Sequence, residues 1–305
     1  MELRHLRYFV AVAEELNFRR AAERLHIGQP PLSIQIRALE EEVGARLLER
    51  SKRRVSLTEA GSRFLRRARE ILAAAGEAVD EARQAARGEL GSLRVGFTSS
   101  LPYTSILPDL LVAYRRRYPA VELQLKEMFT TDQLVAIAAG RLDVGLVRYV
   151  GGALPSGVSV RELGADPLCL VVNAAHPLAN RESVRFAELA DEGFITFPEG
   201  VGTGLPDILR RLCRDAGFEP RVVQTAREAT TQVGLVGAGI GLALLPAPLS
   251  CIRLPRVRYV PIADADASFV LSVASPPDAT SPLLAGFLAV LGEVAATADQ
   301  AGAKR

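Results

Sequence analysis

Two groups of side chains in this 305-residue sequence have types and spacings suited to binding chemistry. The first lies in "GQPPLSIQIRALEEEVG", residues 28–44. Leu32, Ile36, Leu39 and Val43 recur at i, i+4, i+7 and i+11, which predicts a helix with one buried stripe. Gln29, Pro30, Ser33, Ile34 and Arg37, with Pro31 beside them, then fall on its outer, leading face, and Ile34 points almost directly away from the stripe. Amide, hydroxyl and guanidinium groups on such a face can bond base edges or phosphate oxygens. Arg50, Lys52, Arg53 and Arg54 follow at a short turn, and Arg19 precedes in a basic pair. Cations so placed neutralise phosphates, although a bare charge run reads equally well as a solvated face.

The second group sits at strand ends. "VGFTSSL" places Thr98, Ser99 and Ser100 just after a strand, and "MFTTDQL" places Thr130 and Thr131 ahead of a helix that Asp132 helps to cap. Strand ends meeting helix N-termini are where an open α/β sheet binds ligands, and the free N–H groups there favour anions. The competing reading makes these residues plain helix caps. Arg148, in "DVGLVRYV", follows another strand and either brings positive charge to the same cleft or lies at a surface edge.

Bond-breaking chemistry finds no support. His5, His26 and His176 are scattered without carboxylate or cysteine partners at useful spacing, so no catalytic residue and no metal site is expected. "GAGIGL" at 237–242 follows a helix and precedes a strand, the reverse of a dinucleotide fingerprint, so no cofactor is expected either. Cys169, Cys213 and Cys251 lack ligand spacing and read as reduced, part-buried thiols. The longest apolar run is cut by glycines and prolines, and "MELRHLRYFV" lacks the core of a signal peptide, so the expectation is a cytoplasmic protein with no membrane partner. Net charge is +2, but residues 1–87 carry +4 and the remainder −2.

The elements that must position these groups follow from periodicity. Helices are expected over about 3–16 and 19–25, the second capped by Asn17, then the 28–44 helix with prolines in its first turn. "RLLER" and "RVSL" flank "SKR" as a short strand pair with a basic tip, completing a winged helix-turn-helix over residues 1–58. From Thr58 a long helix runs to about Arg87. Its stripe of Phe64, Leu65, Ala68, Ile71, Leu72, Ala75, Val79, Ala82 and Ala86 is rich in small residues, which reads as a dimerising linker over 59–88. From Ser92 strands such as "SLRVGFT", "VELQLKE", "LCLVVN" and "LALLP" alternate with helices near 106–118, 131–140, 204–216 and 228–237. That alternation predicts an α/β, Rossmann-like domain with mainly parallel sheets, as one large sheet or two lobes.

The stretch "LRHLRYFVAVAEELNFRRAAERLHIGQPPLSIQIRALEEEVGARLLERSKRRVSLTEAG" resembles the signature of LysR-type transcriptional regulators. Its Arg-His-Leu-Arg-Tyr-Phe opening and Gln-Pro-Pro-Leu-Ser run resemble the branch responding to benzoate, muconate and chlorocatechol breakdown. The likeness continues, more weakly, to about residue 295. It implies a homodimer through the linker helix, a homotetramer on promoter DNA, and an activator that contacts RNA polymerase. It also implies a periplasmic-binding-protein-like effector domain over 92–295, with lobe I about 92–163 and 268–295 and lobe II about 164–267. One departure stands out: relatives carry arginine or another polar residue where this chain has Ile34.

By the same resemblance Ser100 and Thr130 match positions that hold a carboxylate effector, with Ser99 the neighbouring alternate. Phe197, Thr203 and Leu205 match the opposite wall, where relatives use proline and phenylalanine in place of Thr203 and Leu205. Thr230 and Thr231 match the region that closes the site. Two other classes compete with an effector-gated regulator. One is a small-molecule binding or sensing protein, against which the basic N-terminal module argues. The other is a nucleoid-structuring DNA-binding protein, which predicts no effector response.

Overall fold

The protein, as a computed structural model, is described over residues 1–51, 54–200, 202–264, 266–278 and 280–302. It divides into two compact units, Met1–Gln84 and Ala85–Arg305.

In the first unit, α1 (Leu3–Glu15), α2 (Phe18–Arg24) and α3 (Gln29–Val43) surround a core that includes Leu6, Phe9, Ala21, Leu32, Ile36 and Leu39. Asn17 caps α2, its side chain accepting the Arg19 and Arg20 N–H groups at 2.9 and 3.2 Å. Pro30 and Pro31 sit in the first turn of α3, where a missing N–H leaves nothing unsatisfied. The apolar stripe of α3 ends a turn earlier than its period suggests. Leu32, Ile36 and Leu39 are fully buried, but Val43 is exposed beside Gly44, whose left-handed φ of 70° stops the helix.

A hairpin of β1 (Leu48–Arg50) and β2 (Val55–Leu57) follows, antiparallel with Leu48 opposite Leu57. Next, α4 (Glu59–Ala86) begins where the Thr58 hydroxyl accepts the Gly61 N–H at 2.8 Å. Any side chain at Gly61 would collide with the Leu47 carbonyl, so its absence lets the helix seat against the hairpin. Only Gly61 and Ala68 of α4 are buried; Ile71 and Val79, on the expected stripe, are exposed.

The second unit holds β3 (Leu90–Phe97), α5 (Ile106–Arg117), β4 (Ala120–Glu127), α6 (Thr130–Ala138) and β5 (Val144–Val147), then the 15-residue strand β6 (Ser159–Asn173). It continues through β7 (Gly193–Thr196), α7 (Leu205–Asp215), β8 (Arg221–Thr225), α8 (Ala229–Gly237), β9 (Leu242–Pro246), β10 (Val257–Pro261), β11 (Ser268–Ser275) and α9 (Pro282–Gly302). Strands run in the order β4-β3-β5-β11-β6-β9-β7-β8, with β10 also on β6.

The sheet is mixed rather than mainly parallel. The β3–β4, β3–β5, β7–β8 and β7–β9 pairs are parallel, whereas β11–β5, β11–β6, β6–β9 and β10–β6 are antiparallel. The cause is β6. Its first part, through Pro167, pairs with β11, and from Leu168 onward it pairs with β9 and β10. One continuous strand thus serves two lobes, each with its own core. One core centres on Tyr114, Leu146 and Phe287, the other on Phe186, Phe194 and Val233. Neither the first half of β6 nor β10 is foreseen from the sequence, because charged and proline-containing segments such as "VRELGADP" obscure the alternation.

Candidate functional site

The outer face of α3 is open as its period predicts. Gln29, Pro30, Pro31 and Arg37 are exposed, Ser33 is half-buried, and Ile34 is 61% exposed. Arg19 is exposed at the start of α2, next to Glu23 at 3.5 Å. Arg54 is exposed at the hairpin turn, where its N–H donates to the Ser51 hydroxyl at 3.1 Å. Lys52 and Arg53 lie outside the described residues. Arg50 differs from the expectation of a free phosphate ligand. Its guanidinium pairs with Glu40 at 2.7 Å and stacks over the Phe18 ring at 4.9 Å.

In the second unit, the ends of β3 and β5, the starts of α6, α7 and α8, and the end of β9 converge on a cavity of about 30 Å³ between the lobes. Seven of the eight expected effector residues line it: Ser99, Ser100, Thr130, Arg148, Phe197, Thr203 and Leu205. Thr230 does not; it is exposed, and Ala229 lines the wall instead. The helices explain the offset. Thr130 is the first residue of α6 and Ala229 the first of α8, so the inward position falls one residue before Thr230.

The polar groups of this cavity are arranged in a specific way. Thr130 is no cap: its hydroxyl accepts the Arg148 N–H at 3.1 Å and faces the Arg148 carbonyl at 3.4 Å. Arg148 is buried, donates Nη1 to the Phe269 carbonyl at 2.8 Å, and pairs through Nη2 with Asp166 of β6. Its guanidinium carbon lies 4.9 Å from the Phe269 ring centroid. Burial draws its pKa down while Asp166 opposes that shift. The cleft therefore does not receive an unmatched cation, because Asp166, 18 residues away in sequence, already answers it. Asp166, Phe269 and Thr98 complete the arrangement; only Thr98 carried a sequence signal, as the first hydroxyl after a strand.

Three buried polar atoms at the cavity, Thr98 Oγ1, Thr203 Oγ1 and Arg148 Nε, have no hydrogen-bond partner among the described residues. Such groups cost free energy when left unmatched. In addition, α6, α7 and α8 all begin at the cavity, and none has a side-chain cap hydrogen bond. Their first-turn N–H groups and dipoles favour an acceptor or an anion there.

The lobes also touch across the cleft. A side chain at Gly202 would collide with Thr131, and a Cβ on Gly204 would stand 2.9 Å from Val150. Arg227 covers the Phe129 ring at 5.4 Å. Elsewhere Cys169 and Cys213 are buried, while Cys251 is exposed rather than part-buried. Among the described residues no cluster of metal-ligating side chains occurs, and no helix is long and apolar enough to cross a membrane.

A helix-turn-helix unit with an open recognition face, joined to a two-lobed ligand cavity, defines the class of ligand-responsive transcriptional regulators. Residues 3–62 match the bacterial regulatory helix-turn-helix proteins of the lysR family, and residues 86–296 match the LysR substrate binding domain. The chain belongs to the LysR family and is a transcriptional regulator, not an enzyme. It is 48% identical over 267 residues to the uncharacterized HTH-type transcriptional regulator YnfL of Escherichia coli (strain K12), covering 88% of this chain and 89% of that protein. Its fold is similar to full-length CbnR in complex with target DNA, at 34% identity and a TM-score of 0.85, covering 97% of this chain and 100% of CbnR. The effector binding domain of BenM with its effector benzoate is 28% identical with a TM-score of 0.62, covering 68% of this chain and 93% of that domain.

Proposed function

We propose that this regulator is an activator in the cytoplasm that binds promoter DNA through α3 and the hairpin and is gated by a small carboxylate held between its lobes. The observation that carries the reading is the cavity, where three helix N-termini without side-chain caps and three unmatched polar atoms surround one space between the lobes. The orphaned donors and the helix dipoles supply what a carboxylate needs, even though Arg148 is already matched by Asp166. Similarity to a benzoate-binding domain supports an aromatic or other organic acid as the effector. The cavity lies where the two lobes meet, so an acid held there bears on how far the lobes part. Gating then follows from unequal affinity of the acid for the parted and closed forms.

Similarity to a DNA-bound homologue supports promoter binding, and contact with RNA polymerase belongs to the activator reading. The exposed Ile71 and Val79 on α4 support a homodimer through that helix, from which a homotetramer is built. A thermal-shift screen of small carboxylic acids on the full chain tests the effector. We expect at least one acid to raise the melting temperature of the wild type and to lose that effect in Thr98→Val and Thr203→Val. Acids that stabilise wild type and both variants alike would place the ligand elsewhere.

A further inference from the structure

We propose that Glu40 is a positioning residue that fixes the wing hairpin on the recognition helix, and that Arg50 is its partner in this brace instead of a phosphate contact. The proposal rests on the DNA-binding reading above. Glu40 sits on α3, and both of its carboxylate oxygens are committed. Oε1 accepts the Leu47 and Leu48 N–H groups at 2.9 and 3.0 Å, and Oε2 accepts Arg50 Nη2 at 2.7 Å. The Glu40 side chain is 13% exposed and that of Arg50 27%. The far face of the Arg50 guanidinium stacks on Phe18, the first residue of α2. A single carboxylate and a single cation thereby tie α2, α3 and the start of β1 together.

Leu47 and Leu48 are buried, so their N–H groups have no recourse to water if Glu40 is lost. The electrostatics point the same way. Arg50 and Glu40 together carry no net charge, so the pair releases no counterion from the phosphate backbone. Pulling Arg50 onto a phosphate would exchange one anion for another and leave the half-buried Glu40 unmatched beside DNA. The brace sets where β1 and β2 stand on α3, and with them the exposed Arg54 just ahead of β2.

The test is fluorescence anisotropy of the full-length protein on two labelled duplexes across a salt series. One duplex has mixed sequence, and the other comes from upstream of the protein's own coding region. Glu40→Gln keeps the side chain's size and removes its charge. The brace predicts binding weakened roughly tenfold at moderate salt, because the wing must first be ordered. The slope of log K on log salt is read on Arg50→Gln, which removes no phosphate contact and should leave it unchanged. Arg50→Gln is expected to match the tenfold loss, and the double variant to be no worse than either single one. If Arg50 instead holds a phosphate, Arg50→Gln flattens the slope by about 0.9 and Glu40→Gln tightens binding by removing an anion. Either result overturns the proposal. So does a lowered melting temperature with unaltered affinity well below it, which is what a merely structural role would give. Should Glu40→Gln fail to fold, Arg50→Gln decides alone through its slope, since its side chain reaches solvent. A wild type that binds neither duplex sinks the DNA-binding reading itself, an outcome distinct from any seen only in the variants.

Discussion

Removing Asp166 should be more damaging than removing Arg148, its partner. The Arg148 side chain is 1% exposed and that of Asp166 is 24% exposed. Asp166→Ala leaves a buried guanidinium that keeps the Phe269 carbonyl and ring but loses its counter-charge. Breaking a buried pair this way costs about 3–5 kcal/mol, and the partial exposure of Asp166 places this case near 3. For a unit of this size each kcal/mol moves the melting temperature by about 2–4 °C, so a drop of about 6–12 °C is expected. Arg148→Met leaves a carboxylate that can hydrate from its open side, and a flexible apolar chain fills the vacated volume. Its cost should be about 1–2 kcal/mol, mostly lost hydrogen bonds. The sequence contains no tryptophan, so thermal melts followed by far-ultraviolet circular dichroism are the suitable assay. A drop smaller for Asp166→Ala than for Arg148→Met would refute the reasoning, because it would mean that Arg148 is not held by Asp166.

Three other expectations are independent of that pair. Ile34→Arg puts a polar reader on the exposed face of α3, where Ile34 is 61% exposed, and should change base preference at one operator position, by about 1–3 kcal/mol, in a binding-site selection; an unchanged preference would make Ile34 filler. Burial pushes the Cys169 and Cys213 thiols up to about 12, whereas Cys251 is exposed, so an aromatic disulfide reagent at pH 8 should titrate one thiol quickly and all three only in urea. At Asp143 burial raises the pKa, but the bonds from the Arg94 side chain and N–H outweigh it and hold the carboxyl below its usual range. Its stabilisation is therefore complete above about pH 4 and lost as pH falls through the lowered value, and Asp143→Asn should flatten the acid limb of the stability curve of the second unit.

The helical unit was almost wholly legible in the sequence, for a physical reason. Short amphipathic helices declare themselves by local period, as Leu32, Ile36 and Leu39 do, and an outward residue such as Ile34 is named by the same period. Local pattern also put hydroxyls such as Thr98 and Thr130 where strands end and helices begin, but it read them equally well as helix caps, and the family resemblance was what singled out Ser100 and Thr130. Pairings between distant residues stayed hidden. Nothing near Arg148 announces Asp166, nothing near Arg50 announces Glu40, and each pairing changes what the arginine does. The mixed sheet was hidden likewise, since strand direction depends on β6 crossing from one lobe to the other, a property of topology and not of its alternation. Thr230 shows the remaining limit: a shift of one residue at a helix start moves a side chain from cavity to solvent.

The most direct test of the account is a nuclease footprint on the DNA upstream of this protein's own coding region, at moderate salt. It should be run with and without an acid that raises the protein's melting temperature. The account predicts a footprint in both cases, with the acid changing its extent or the hypersensitive positions that mark a bend, and with Thr203→Val losing that change. A footprint identical with and without every stabilising acid would contradict gating by the cavity, and no footprint at all would contradict the function assigned to α3.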